Sequence, residues 1–257
     1  MDSIPAQLDT VDLEARVKSV YERVAGFPQQ EFHFETGRGL AERLGYPPQD
    51  LDRVPAEAVE SFAGVGYFDD LAALQLGERV LDLGSGSGMD SFLASRAVGP
   101  GGSVVGVDLT AAQVVKSRRL AAGAENLQFR EGRLEEPAVE DGTIDCVISN
   151  GVINLVPDKA RAFAAAARAL RPGGRLAIAD IVAQSEMPPS ITCDASLWAA
   201  CIGGATQRDQ FLDLIKAAGF RIETVRPNEA YRFLSRQAQK ASSKYGVTSI
   251  TLLARLE

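Results

Sequence analysis

The chain has 257 residues, 46% apolar and 24% charged, with 27 Lys plus Arg against 34 Asp plus Glu for a formal charge of −7. That is room and apolar material for one large domain or a core domain with a smaller cap, and the acidic balance argues against a general grip on a nucleic-acid backbone. With His33 as the single histidine, a multi-histidine site is excluded and no metal is expected. No run approaches the ~18 apolar residues of a membrane span, and the opening MDSIPAQLDTVDLEARV has neither the basic nor the apolar part of a secretory leader. Cys146, Cys193 and Cys201 contain no CxxC pair and are too irregularly spaced for a disulfide framework. The expectation is a cytoplasmic enzyme with a small-molecule partner and neither nucleic-acid nor membrane partners; monomer and homodimer both stay open.

Residues 12–25 (DLEARVKSVYERVA) carry apolar positions at helical spacing and predict an amphipathic helix. The turn-rich stretch EFHFETGRGLAERLGYPPQDL holds a short helix at Leu40 to Leu44 that Gly45 and Pro47 stop. AEAVESFAG, from Ala56, predicts another helix ended by Gly64. Residues 1–70 therefore read as a mainly helical cap.

The period then changes. Short β-rich runs at 79–84, 103–108, 127–131, 144–149 and 175–181 alternate with helical stretches (DSFLASRAV, AAQVVKSRRLAAG, KARAFAAAARALRPGG), which predicts a mostly parallel sheet covered by helices on both faces. FRIETVR (220–226) and GVTSITLLARL (246–256) add two final strands, for seven in all. The division is a cap at 1–70, an α/β core at 71–183, and a segment at 184–257 that holds a substrate-side insertion and completes the sheet.

VLDLGSGSGMD puts Asp82, Gly84, Gly86 and Gly88 at the join of the first strand and its helix. Glycines there let the backbone turn tightly and approach a ligand. Asp108 ends the second strand, 20 residues after Gly88, where it can accept from both hydroxyls of a ribose. A dinucleotide site prefers GxGxxG, with a helix amino terminus facing pyrophosphate. Here the pattern is DxGxGxG, and a carboxylate at Asp82 repels pyrophosphate but suits a cationic amino-acid end. A nucleotide-binding dehydrogenase is therefore disfavoured.

This pattern resembles the first motif of class I S-adenosylmethionine-dependent methyltransferases, a Rossmann-like fold. The resemblance implies S-adenosyl-L-methionine as cofactor, with Gly84, Gly86 and Gly88 around its methionine part, Asp108 on the ribose and Leu109 against the adenine. Arg133 and Leu134 stand after the third strand, where the family has an acid followed by an apolar residue. Asn150 follows the fourth strand, where the resemblance puts the transferring methyl.

A narrower resemblance is carried by SNGVINLVPDK, RALRPGGRLAIADI, LWAACIGGA, QFLDLIKAAGF and KYGVTSITLLA, which look like the bacterial arsenite methyltransferase family. In that family a cysteine follows Ser-Asn and binds arsenic(III) with the cysteine of C-x-GGA. This chain has Gly151 and Cys201. The family's other cysteines, in the cap and near Ser91, also have no counterpart. Arsenic(III) is soft and wants two or three thiolates. Cys193 could join Cys201 or be an ordinary loop residue, Cys201 reads as either pocket wall or reactive thiol, and Cys146 reads as a small core residue.

The VINLVP segment, with Asn154, reads as the floor of an acceptor pocket in which Gly151 leaves room for a bulkier acceptor, the alternative being a loop that simply needs glycine. Trp198, Tyr231 and Phe233 are candidates for its walls. His33, Glu35 and Asp180 are candidates for a general base, which a phenol, alcohol or amine acceptor requires and a thiolate does not. The leading reading is methyl transfer to a small molecule through sulfur, oxygen or nitrogen. Arsenite methylation with a reduced cysteine set, and a non-catalytic cofactor or metalloid sensor, are the alternatives.

Overall fold

The computed structural model describes residues 8–199 and 201–257; the opening of the predicted cap (1–7) and Ala200 of the LWAACIGGA motif lie outside them. Its centre is a sheet of β1 (Arg79–Leu83), β2 (Ser103–Asp108), β3 (Leu127–Glu131), β4 (Ile144–Asn150), β5 (Leu170–Val182), β6 (Phe220–Pro227) and β7 (Thr248–Leu256). The strand order is β3-β2-β1-β4-β5-β7-β6, with β1 to β5 parallel and β7 antiparallel to both of its neighbours. This is the class I methyltransferase sheet expected from the sequence. Chain progression reverses between β1 and β4, so a crevice opens at the carboxyl ends of those two strands.

The central strands are near-continuous apolar runs because both faces are covered. Side-chain alternation sends Val80, Cys146 and Ile148 to one core and Leu81, Leu83 and Val147 to the other. The first core lies under α6 (Met89–Val98), α7 (Ala111–Leu120) and the cap. The second lies under α8 (Lys159–Ala169) and α11 (Arg208–Ala217). Cys146 is fully buried in the first core, as its reading as a small core residue requires.

Two boundaries differ from expectation. β5 starts at Leu170 rather than 175, because Leu170 pairs with Ile144 and the residues between are taken up in a bulge before Arg175 pairs with Cys146. The helix α12 (Arg236–Tyr245) was not evident in the sequence: it buries only Ala238 and Ala241, so it carries almost no apolar stripe. It is set by its cap, where Ser235 Oγ accepts from Ala238 N at 3.1 Å.

The cap contains α1 (Thr10–Gly26), α2 (Arg38–Leu44), α3 (Pro48–Leu51), α4 (Ala56–Glu60) and α5 (Asp69–Ala72). Asp9 caps α1, accepting from Val11 N and Asp12 N at 3.0 Å each. α1 then lies across the carboxyl end of the sheet, from α7 on one side to α10 (Ala195–Ala199) on the other. Predicted to run to Gly64, α4 stops at Glu60, and Ser61 Oγ donates to Val24 O in α1. α9 (Pro189–Thr192) and α10 form the predicted insertion after β5. No described helix is long and apolar enough to cross a membrane.

The insertion packs on the turn after β4 with no spare volume. A Cβ on Gly204 would lie 1.8 Å from the backbone oxygen of Asn154 and 2.7 Å from the Trp198 ring. Gly204→Ala should therefore destabilise the protein by about 1–3 kcal/mol, read as a lower urea midpoint. Gly39→Ala, in a helix with nothing within 4 Å of the added methyl, should be neutral or slightly stabilising.

Candidate active site

The crevice between β1 and β4 holds a cavity of about 650 Å³. Its floor is the glycine turn. Gly84 and Gly88 both have positive φ, and a Cβ on either would strike a neighbour: Val152 at 2.4 Å for Gly84 and Phe129 at 2.6 Å for Gly88. Gly86 also has positive φ, but its missing Cβ would meet nothing nearer than Gln113 at 3.9 Å. Two glycines thus close the strand–helix join, and the third lets a ligand approach the backbone.

Two carboxylates line the inner end of this cavity. Asp82 is 3% exposed and accepts from Ser91 Oγ at 2.5 Å. Asp90, in the first turn of α6, accepts from Tyr46 Oη at 2.6 Å and from Asn150 Nδ2 at 3.1 Å. Neither forms an ion pair among the described residues. Burial first, then the negative Asp90, pushes the Asp82 carboxyl up to about 8. Burial likewise raises Asp90 to about 6, against the bonds from Tyr46 and Asn150.

Asp108 closes the middle of the cavity. Its two oxygens accept from Gly86 N at 2.9 Å and Thr110 N at 2.8 Å, which orients the carboxylate and leaves lone pairs for a ligand. Ser85, also in the lining, has a buried hydroxyl with no partner. Leu109, Arg133 and Leu134 border the outer end.

α1 roofs the cavity with Leu13, Glu14, Val17 and Tyr21. Gln113 ties roof to floor, accepting from Ser87 Oγ at 2.5 Å and donating to Tyr21 O at 3.0 Å. Lys116 Nζ donates to Ala25 O at 3.0 Å and Ser61 Oγ at 2.7 Å. At the mouth Glu14 pairs with Arg133 and with Lys18, and these bonds hold its carboxyl below the usual range. Arg133 therefore carries its own acid from the cap.

Asn150 lines the cavity, with its amide fully engaged. Oδ1 accepts from Val65 N at 2.7 Å and Gly66 N at 3.3 Å, while Nδ2 donates to Tyr46 Oη and Gly66 O at 3.0 Å each and to Asp90. A Cβ on Gly64 would lie 2.6 Å from this amide, so the cap backbone presses directly on it.

The remaining predicted residues lie outside the lining. Asp180, a candidate for the general base, is 1% exposed and turned under the turn after β4, accepting from Asn154 Nδ2 and Ile181 N at 2.7 Å each. Burial raises its carboxyl to about 6. Asn154 is itself fully buried and braces that turn instead of flooring a pocket. Trp198 is 3% exposed, its Nε1 donating to Thr192 O at 2.7 Å. Cys201 is 4% exposed beside Tyr21, and burial pushes its thiol up to about 12.

Cys193 is half-buried in a separate shallow depression with Asp12 and Arg16. His33 sits in a bend against the edge of Phe34, and Glu35 pairs with Arg43. Gly151 leaves no open space: it has φ +73, and an added Cβ would be 3.0 Å from Val65. The cap occupies that volume, and the positive φ favours glycine in the loop. Among the described residues no group of three or more His, Cys, Asp or Glu could hold a metal ion.

Sequence reasoning missed Asp90, Tyr46 and Glu14. Asp90 had a signal, since it stands directly after the glycine turn; the other two are brought in by cap packing alone. The raised carboxyls fix a pH dependence. A folded-state pKa above the unfolded ~4 means that the native chain binds more protons between that pH and about 8, so stability falls as pH rises. Thermal melts of unliganded protein should show a melting temperature decreasing from pH 5 to pH 8, with a flatter profile for Asp82→Asn.

A family model described as a methyltransferase domain matches residues 74–219. The chain is 41% identical to an arsenite methyltransferase of Halobacterium salinarum over 204 residues, 78% of this chain and 52% of that protein. It is 39% identical to one from Aquipseudomonas alcaligenes over 179 residues, 66% of this chain and 51% of that protein. The chain thus spans about half the length of the curated relatives it matches. An arsenic(III) S-adenosylmethionine methyltransferase from Chlamydomonas reinhardtii has a similar structure, with TM-score 0.67 and 32% identity over 81% of this chain and 72% of that one. By its family match the chain belongs to the methyltransferase-domain family; its strand order is that of the class I fold, and it is similar to arsenite methyltransferases.

Proposed function

We propose that the chain transfers a methyl group from S-adenosyl-L-methionine to a small-molecule acceptor with a sulfur, oxygen or nitrogen nucleophile. The observation that carries this reading is the pair of buried carboxylates, Asp82 and Asp90, without a cationic partner among the described residues. Buried charge of one sign calls for a ligand of the other sign. The cofactor's ammonium fits that end, its ribose fits the oriented Asp108, and its adenosine fits between Leu109, Leu134 and the apolar face of α1. A pyrophosphate would meet two carboxylates and does not fit.

When bound, S-adenosylmethionine supplies an electrophilic methyl that passes to the acceptor by in-line displacement. The chain's own residues bind, orient and exclude water. Asp82 and Asp90 hold the amino-acid end and Asp108 the ribose. Leu13 and Val17 of α1 keep solvent off the cavity. Asn150 has no free hydrogen-bonding capacity for proton transfer, so it shapes the wall as a positioning residue. His33, Glu35 and Asp180 lie away from the cavity. That favours acceptors needing no protein base, such as a thiolate.

Arsenite methylation is the second reading, favoured by the similarity to arsenite methyltransferases. Against it stand the glycine at 151 and a Cys201 thiol that burial keeps protonated beside Tyr21. The sensor reading rests only on the missing cysteines.

Release of S-adenosylhomocysteine should be measured with arsenite plus glutathione, and separately with thiols, phenols and amines. Turnover with an organic acceptor and none with arsenite is expected; turnover with arsenite alone would reverse the order of the two readings. Asp108→Ala should weaken cofactor binding about 10- to 100-fold, the worth of hydrogen bonds to a charged group.

A further inference from the structure

The residues around Asp90 join the inner end of the cavity to the cap. Tyr46, in the cap, is 1% exposed and donates to Asp90 at 2.6 Å; it also accepts from Asn150 Nδ2 at 3.0 Å. Asn150, at the end of β4, donates to Asp90 and, through its oxygen, holds the N–H groups of Val65 and Gly66. Val65 is the residue that fills the space beside Gly151. Asp90 is thus linked through the Asn150 amide to the cap segment 63–66.

We infer that Tyr46 and Asn150 are positioning residues that couple occupation of the cofactor's amino-acid end at Asp90 to the placement of segment 63–66, so that the cofactor binds before the acceptor. This rests on the cofactor reading above. An ammonium at Asp82 and Asp90 fixes the Asp90 carboxylate as ionised acceptor, which keeps both the Tyr46 hydroxyl and the Asn150 amide pointed at it. The amide can then present its oxygen only to Val65 and Gly66. Without the cation, Asp90 faces Asp82 and Asp69 from α5 as well as Tyr46, and burial favours its protonated form. A protonated Asp90 becomes a donor, and the network loses its single orientation.

The test is amide hydrogen exchange of the intact chain with and without S-adenosylhomocysteine. In the wild type, the ligand should slow exchange at Val65 and Gly66 by roughly tenfold or more, the mark of a local opening made rarer. Tyr46→Phe should still bind the ligand, roughly tenfold more weakly, yet show no added protection at those two amides. If Tyr46→Phe does not fold, Asp90→Asn, which keeps the shape of the side chain, takes its place with the same expected result. Ligand binding with unchanged protection in the wild type, or with full protection in the variant, overturns the coupling alone. Absence of any ligand binding to the wild type overturns the cofactor reading and the coupling with it.

Discussion

The side-chain amide of Asn150 is where sheet, cap and cavity meet. It ends β4 at the point where the strand order reverses, it lines the cavity, and it makes hydrogen bonds to Val65, Gly66, Tyr46 and Asp90. An amide offers two donors and one oxygen acceptor with two lone pairs, and these partners use all of that capacity. No other short side chain has both functions in this geometry: Asp would bring a further negative charge beside Asp90, and Leu would leave the cap N–H groups unmet. Asn150 thus fixes the cap segment 63–66 over the cleft, beside the ties that Gln113 and Lys116 make to the rest of the cap, and the tight approach of Gly64 follows from it.

The second constraint is charge. Burial raises Asp82, Asp90 and Asp69, the negative Asp90 adds to the first and the last, and no guanidinium or ammonium of the described residues neutralises Asp82 or Asp90. The protein therefore holds a net acidic interior at one end of an otherwise apolar cavity. Such a site costs stability when empty and gains it when a cation arrives, so ligand binding and folding stability are linked. The same cluster explains why a methyl donor with an amino-acid end, and not a dinucleotide, suits a glycine turn of this kind.

Much of this was legible in the sequence. The strands, their order class, the glycine turn and Asp108 follow from local pattern: period-two runs, a fixed spacing and a helix start. What failed were judgements about long-range packing. Asp180, Asn154, Trp198 and Cys201 sit in motifs near the expected cleft, yet each is turned into the core between the turn after β4 and the insertion after β5. Gly151 suggested room, but the space beside it is filled by Val65, some 86 residues earlier in the chain. Conversely, Glu14 and Tyr46 carry no motif; Glu14 reaches the cavity and Tyr46 reaches Asp90 at its inner end because α1 and the loop after α2 fold back over the sheet.

The most direct measurement is a crystal structure of the chain grown with S-adenosylhomocysteine. The ligand's ammonium should lie within hydrogen-bond reach of Asp82 and Asp90, its ribose on Asp108, its adenine beneath α1, and its sulfur toward Asn150. Ligand bound with its amino-acid end at the Glu14–Arg133 mouth, or bound outside the cavity altogether, would contradict the assignment on which every functional statement here depends.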